Sequence, residues 1–159
     1  MNQSLLAKLL RVVTILFGIL GAIFVAGIIP ATLKDFGLAF PEFRYLVQPY
    51  SIAILIGAIP IYIALALFWL ICSRIATNNS FCRKNADAFK HIGWLAIIDT
   101  VYCLLGTVIL AVLNASNAGV VIIALGVITF GAAVSIAAFT LSYLVLKASL
   151  IQEENDLTV

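Results

Sequence analysis

An aspartate stands inside a long apolar run. Asp99 is flanked by Ile97, Ile98, Val101 and Tyr102. A carboxylate at the centre of a membrane helix costs ~3 kcal/mol on insertion scales, and such a group is a functional candidate by default. At helical spacing its neighbours are Tyr102, Cys103 and, one turn further, Gly106. Asp99, Tyr102 and Cys103 therefore form a candidate intramembrane polar site, with small residues that permit close helix packing. Its sharper chemistry is proton or cation binding. The plainer reading is a structural carboxyl, protonated or bonded across the bundle, and a third is a contact for a partner. The remaining deep polar groups are mainly Thr14, Tyr62, Thr107, Thr129 and Ser135, with no second deep carboxylate. That is sparse for a coupled transporter.

Other chemistries find little. The cysteines, Cys72, Cys82 and Cys103, form no C-x-x-C pair, and the single histidine, His91, is not at ligand spacing from them. A structural zinc site needs four such ligands, so no metal and no cofactor is expected, and the cysteines read as free buried thiols. There is no Ser/His/Asp set and no pair of carboxylates at one depth. The expectation is a non-enzymatic protein.

Charge gathers in two places. Arg83, Lys84, Lys90 and His91 form a basic cluster, and Glu153, Glu154 and Asp156 an acidic tail. Phe81, Asn85, Phe89 and Ile92 share one face of a helix. Arg83, Lys84, Asn85, Phe89, Lys90, Glu153, Glu154 and Asp156 are thus candidate partner-binding residues. The plainer alternatives are a topology signal with attraction to anionic lipid, ~1 kcal/mol per basic residue, and a solvated tail; a further reading of the tail has it fold back on the basic loop. A net charge of +2 is too small to argue for direct nucleic-acid binding.

These residues are carried by a chain of 159 residues, 64% hydrophobic and 10% charged. So apolar a chain needs an apolar solvent, because a domain this small has too little interior to hide the surplus. Four apolar stretches, near 9–29, 50–75, 92–113 and 120–146, are each long enough to cross a ~30 Å hydrocarbon core as an α-helix. The first is longer than a signal-peptide core and ends in Ile28-Ile29-Pro30 rather than small-x-small, so a retained helix is expected. Lys8, Arg11, Arg74, Arg83, Lys84, Lys90 and Lys147 fall on one side, Lys34 and Arg44 on the other. That asymmetry predicts both ends in the cytoplasm.

Asn78-Asn79-Ser80 is a turn signal, after which the third helix starts near Arg83 and projects past the membrane. The segment 31–49, with Phe36, Phe40, Phe43 and Tyr45, reads as an outer loop at headgroup level, an interfacial lid or anchor, the sharper alternative being an external docking surface for a peptide or lipid. Pro60, inside the second helix, clashes with the carbonyl of Ile56 and is a candidate hinge, the plainer reading being a packing bend. Gly18, Gly21, Ala22 and Ala26 in the first helix, and Gly131, Ser135 and Ala138 in the fourth, are small-residue stripes for close packing. A homodimer, and so a homo-oligomer, is their sharper alternative.

Three blocks make the chain similar to a known family: Pro41-Glu42-Phe43-Arg44-Tyr45-Leu46; Ala58-Ile59-Pro60 with Asn79-Ser80-Phe81-Cys82-Arg83-Lys84-Asn85 and Ile92-Gly93; and the terminal Glu153-Glu154-Asn155-Asp156-Leu157-Thr158-Val159. They resemble the bacterial membrane family catalogued as domain of unknown function 2975. The resemblance spans most of the chain and implies a small four-helix membrane protein with no assigned activity. It also implies a regulatory partner by association, since such proteins are often encoded beside a small helix-turn-helix regulator. Cys82 departs from the family pattern, where a small hydroxyl residue is commoner and would cap the helix better.

The expected structure is all-α: one four-helix transmembrane bundle over 1–159, N-in/C-in, multi-pass in the cell (inner) membrane. Its helices are expected at about 9–29, 50–75, 83–113 and 120–147, with an outer loop 31–49, an inner loop 76–82 and a cytoplasmic tail 148–159. The expected function is that of a regulatory or accessory protein, seated in the lipid bilayer, that binds a cytosolic partner. The alternative is a small proton- or ion-coupled transporter using Asp99.

Overall fold

A computed structural model describes residues 3–77, 79–116 and 118–157, the side chains of 3, 4 and 155–157 aside. Helix α1 spans Gln3–Ile23 and runs through a π-turn, Phe24–Ile28, into α2, Ile29–Ala39. A 3-10 turn, Pro41–Phe43, leads to α3, Arg44–Ala76; α4 is Arg83–Val112 and α5 is Ala118–Leu157. Four of these segments, Leu5–Ala39, Pro41–Ala76, Arg83–Val112 and Ala118–Glu154, are long and apolar enough to cross a membrane.

The segment 31–49 is helix on both sides of one tight turn, not a loop. Pro30 does not end the first helix. Proline has no N–H and its ring collides with the carbonyl four residues back. The chain widens into the π-turn instead, where the Ile29 N–H donates to Phe24 O. Widened turns of this kind absorb local misfits within a helix. The helix ends at Phe40, with φ −128° and ψ 82°. Phe40 precedes Pro41, and a residue before proline is driven out of the α region. Phe36 rings with Phe40 and Phe43 at centroid separations of 5.0 and 6.0 Å, and Gly37 is buried against Val47 and Arg44. This is the aromatic end of the molecule.

The expected tail 148–159 also differs: α5 stays helical to Leu157, because no proline or glycine interrupts the chain after Lys147. α3 runs unbroken through Pro49 and Pro60. Between α4 and α5 the turn is closed by Asn114, whose φ of 53° is left-handed. Ala115 N–H donates to Leu110 O at 3.0 Å and Asn114 N–H to Ala111 O at 3.1 Å, which is the Schellman arrangement that satisfies a helix's last carbonyls.

The spans stand in chain order. α1 packs on α3, α3 on α4 and α4 on α5, and among the described residues α1 touches neither α4 nor α5, nor does α3 touch α5. The bundle is therefore open, a row rather than a closed ring. Two tyrosines link neighbours by donating to backbone carbonyls: Tyr62 to Gly18 O at 3.0 Å, joining α3 to α1, and Tyr102 to Ala53 O at 2.7 Å, joining α4 to α3.

The α4–α5 seam is the closest. Gly93 lies beneath the Phe139 ring, which Trp94 meets edge-on at 5.7 Å. Ser135 donates to Gly93 O at 3.1 Å and Ser142 to Ala86 O at 2.7 Å. Ser135 and Ala138 are buried here, so the small residues of the fourth span serve packing within the chain. Outward, Phe17, Ile122 and Phe130 remain 65%, 69% and 72% exposed. Apolar faces of this extent suit acyl chains.

A Cβ on Gly131 would collide with the Thr100 hydroxyl, which is fixed by its bond to Ala96 O at 2.7 Å. Gly131→Ala should therefore destabilise the protein by ~1–3 kcal/mol, the usual cost of overpacking. Thr100→Ala in the same chain should recover most of that loss. Gly126→Ala, which meets nothing within 4 Å, should be near neutral. Thermal unfolding in detergent reads all three.

Candidate functional site

At the end opposite the aromatic cluster, the connection from α3 to α4 closes on one side chain. Asn85 is 0% exposed. Its amide donates to Asn79 O at 3.2 Å and Ser80 O at 2.9 Å, while its oxygen accepts from Arg74 Nη1 at 3.2 Å. Arg74 Nη1 also donates to Lys84 O at 3.0 Å, and Arg74 O accepts from the Thr77 hydroxyl and Asn79 N–H, each at 3.0 Å. Buried polar groups left unpaired cost ~1–3 kcal/mol each, so this network fixes the turn and the start of α4. Cys82 caps α4 with no side-chain bond, as the missing hydroxyl predicts. Asn85 takes over by holding the turn from inside. It is therefore a positioning residue, not the displayed contact that its helical face suggested.

Arg83 reaches across to α5. Its Nε lies 3.1 Å from Glu153 Oε1 and its Nη2 2.7 Å from Oε2. The two-pronged geometry is the strong form of the pair, though both side chains stay more than half exposed, which keeps its contribution small. The acidic segment thus folds back on the basic one. Arg74, Asn79, Lys84, Ser149 and Gln152 join this pair around an open cleft of about 550 Å³. Lys84, Lys90 and Glu154 are exposed, Phe89 is half-buried, and Asp156 lies outside the described side chains. His91 Nδ1 lies 2.7 Å from Asp87 O. Phe81, Leu150 and Ile151 are exposed at the same end.

Asp99 lies ~24 Å from the Arg83 end of a helix ~45 Å long, close to its midpoint. It faces α3 at Gly57: a Cβ there would stand 3.8 Å from Asp99 Oδ1 and 3.0 Å from the Tyr102 ring. Gly57 thus makes the room that the carboxylate and the ring occupy. Tyr102 gives its hydroxyl to Ala53 O rather than to Asp99, and Thr107 donates to Cys103 O at 2.8 Å. Tyr50 is within electrostatic reach of Tyr102 and Cys103, and Cys103 of Asp99. The α3–α4 seam therefore gathers the predicted trio and adds Gly57 and Tyr50, which sequence spacing within one helix had no means of placing. Among the described residues no three His, Cys, Asp or Glu side chains stand close enough to hold a metal ion.

The fold defines a helical membrane protein with four spans. The chain belongs to the family described as "Protein of unknown function (DUF2975)", whose profile matches residues 31–159. It is similar to the "Uncharacterized membrane protein YoaS" of Bacillus subtilis (strain 168), with 26% identity over 152 residues, covering 94% of this chain and 95% of that protein. No solved structure matches it.

If Asp99 is a structural hydrogen-bonding group, Asp99→Asn should retain fold and function, since an amide still bonds. Retained fold with lost function would show that the carboxyl's proton or charge is used. Detergent melting together with growth complementation separates these outcomes.

Proposed function

We propose that this protein is a non-enzymatic accessory or regulatory protein of the cell membrane, with both ends in the cytoplasm, that holds a cytosolic protein at its basic end. The observation that carries this reading is the folded α4–α5 hairpin at that end. α5 is ~60 Å long, about twice the ~30 Å core. Its final turns carry Lys147, Glu153 and Glu154, and they lie along the α4 start with Arg83, Lys84, Asp87 and Lys90. Charge at this density excludes hydrocarbon, so both helix ends stand in water as one packed unit. A partner would find a rigid scaffold with little ordering entropy to lose. It would also find both signs of charge for register and the exposed Phe81, Leu150 and Ile151 to bury. A small helix-turn-helix regulator fits such a surface. The +2 net charge gives no reason for the chain to bind nucleic acid itself.

A second reading, proton- or cation-coupled transport, is favoured by one observation: the mid-depth carboxylate of Asp99 facing the gap at Gly57. The hinge at Pro60 would serve either reading, by letting the ends of α3 move. A homo-oligomer would use the outer faces of α1 and α5.

The test is a pull-down from cells with three versions of the chain: wild type, residues 152–159 removed, and Arg83, Lys84 and Lys90 all changed to Gln. Wild type should retain a defined cytosolic protein that both variants lose. Equal retention by all three, or none by any, contradicts recruitment and leaves a self-contained membrane role.

A further inference from the structure

Arg11 lies between α1 and α3 with its guanidinium carbon 5.5 Å from the centre of the Trp69 ring. Its Nε is buried and has no hydrogen-bond partner. Among the described residues no carboxylate forms an ion pair with Arg11. The Thr14 hydroxyl, one turn away, donates to Leu10 O at 2.8 Å and accepts nothing from Arg11 Nε. A guanidinium is always charged and offers its donors as a planar fork. With Nε buried and unbonded, one of those donors is left unsatisfied, which is costly.

Depth decides what can supply the missing acceptor. α3 is ~50 Å long, so a centred ~30 Å core leaves ~10 Å beyond it at each end. Trp69 is seven residues before Ala76, ~10 Å along the helix, which sets it at the hydrocarbon edge, where tryptophan is favoured. Arg74 on α3 and Lys8 on α1 lie towards the same end. Because α1 meets neither α4 nor α5, the Arg11–Trp69 notch opens sideways onto lipid rather than into protein.

We propose that Arg11, stacked on Trp69 and flanked by Lys8, is a binding site for the phosphate of an anionic phospholipid. The fork donates to phosphate oxygens at headgroup level, and the indole holds the guanidinium plane in place from below. The acyl chains run down the apolar seam between α1 and α3. The site is independent of the cytosolic partner and of Asp99.

The experiment uses the full chain carrying Trp94→Phe, so that Trp69 is the sole tryptophan, reconstituted in phosphatidylcholine vesicles. Trp69 fluorescence is quenched with dibrominated phosphatidylglycerol or dibrominated phosphatidylcholine at equal mole fraction. The anionic lipid should show apparent binding on the order of fivefold stronger, the enrichment that one basic contact gives. Arg11→Gln should bring the two to parity, and Arg11→Lys, which keeps charge but loses the fork, should fall between. Equal quenching in the parent, or a preference that survives Arg11→Gln, overturns the site. Inorganic phosphate added at constant ionic strength should leave the preference unchanged. Its loss would overturn the lipid assignment in favour of free phosphate.

Discussion

A bilayer gives helices no hydrophobic reason to associate, because lipid tails are as apolar as the side chains they would replace. Everything in this protein depends on how that constraint is met at the α4–α5 seam. There Gly93 and Gly131 remove the side chains that would hold the helices apart, and Phe139 and Thr100 fill the space. Ser135 and Ser142 place hydroxyls on α4 carbonyls. Contact this close keeps the two helices together along their length, so that the charged turns around Arg83 and Glu153 are carried on one hairpin. At the other two seams the ties are side chains reaching to a neighbour: Tyr62 and Arg11–Trp69 between α1 and α3, and Tyr102 and Arg74 between α3 and α4.

The same constraint explains the irregular backbone. Where water cannot satisfy a freed carbonyl, the chain alters its turn rather than breaking. The π-turn before Pro30 is one result, and unbroken helix through Pro60 is another. At the water-facing ends the pressure relaxes, and the chain breaks where local chemistry asks: at Phe40 before Pro41, at Thr77 after Arg74, and at left-handed Asn114.

Spans were legible because a run of some twenty apolar residues has few alternatives in three dimensions. Pro30 and the aromatic segment read as a helix end and a loop because proline usually stops a helix, whereas here the chain widens into a π-turn and stays helical to Ala39. Asn85 and Phe89 lie on α4 at helical spacing, whereas Phe81 precedes the helix. Periodicity, however, does not say which side of a helix is covered, and Asn85 turned out to be the buried polar group that closes the α3–α4 turn. Arg11 was read for its sign alone, since its pairing with Trp69 joins residues 58 positions apart on different helices. The meeting of Arg83 with Glu153 needs α5 to remain helical as far as Glu153, which the charge pattern alone does not specify.

The basic end is a packed hairpin joined by Arg83 and Glu153, not a loop beside a loose tail. Backbone amide exchange of the protein in lipid nanodiscs tests it most directly, read on residues 147–154 and compared with Asn85→Ala. Protection of at least ~100-fold over free-peptide rates, the mark of packed helix rather than fraying terminus, is the result expected of the native chain, with Asn85→Ala raising exchange in residues 83–90. Exchange of 147–154 at free-peptide rates in the native chain would contradict it.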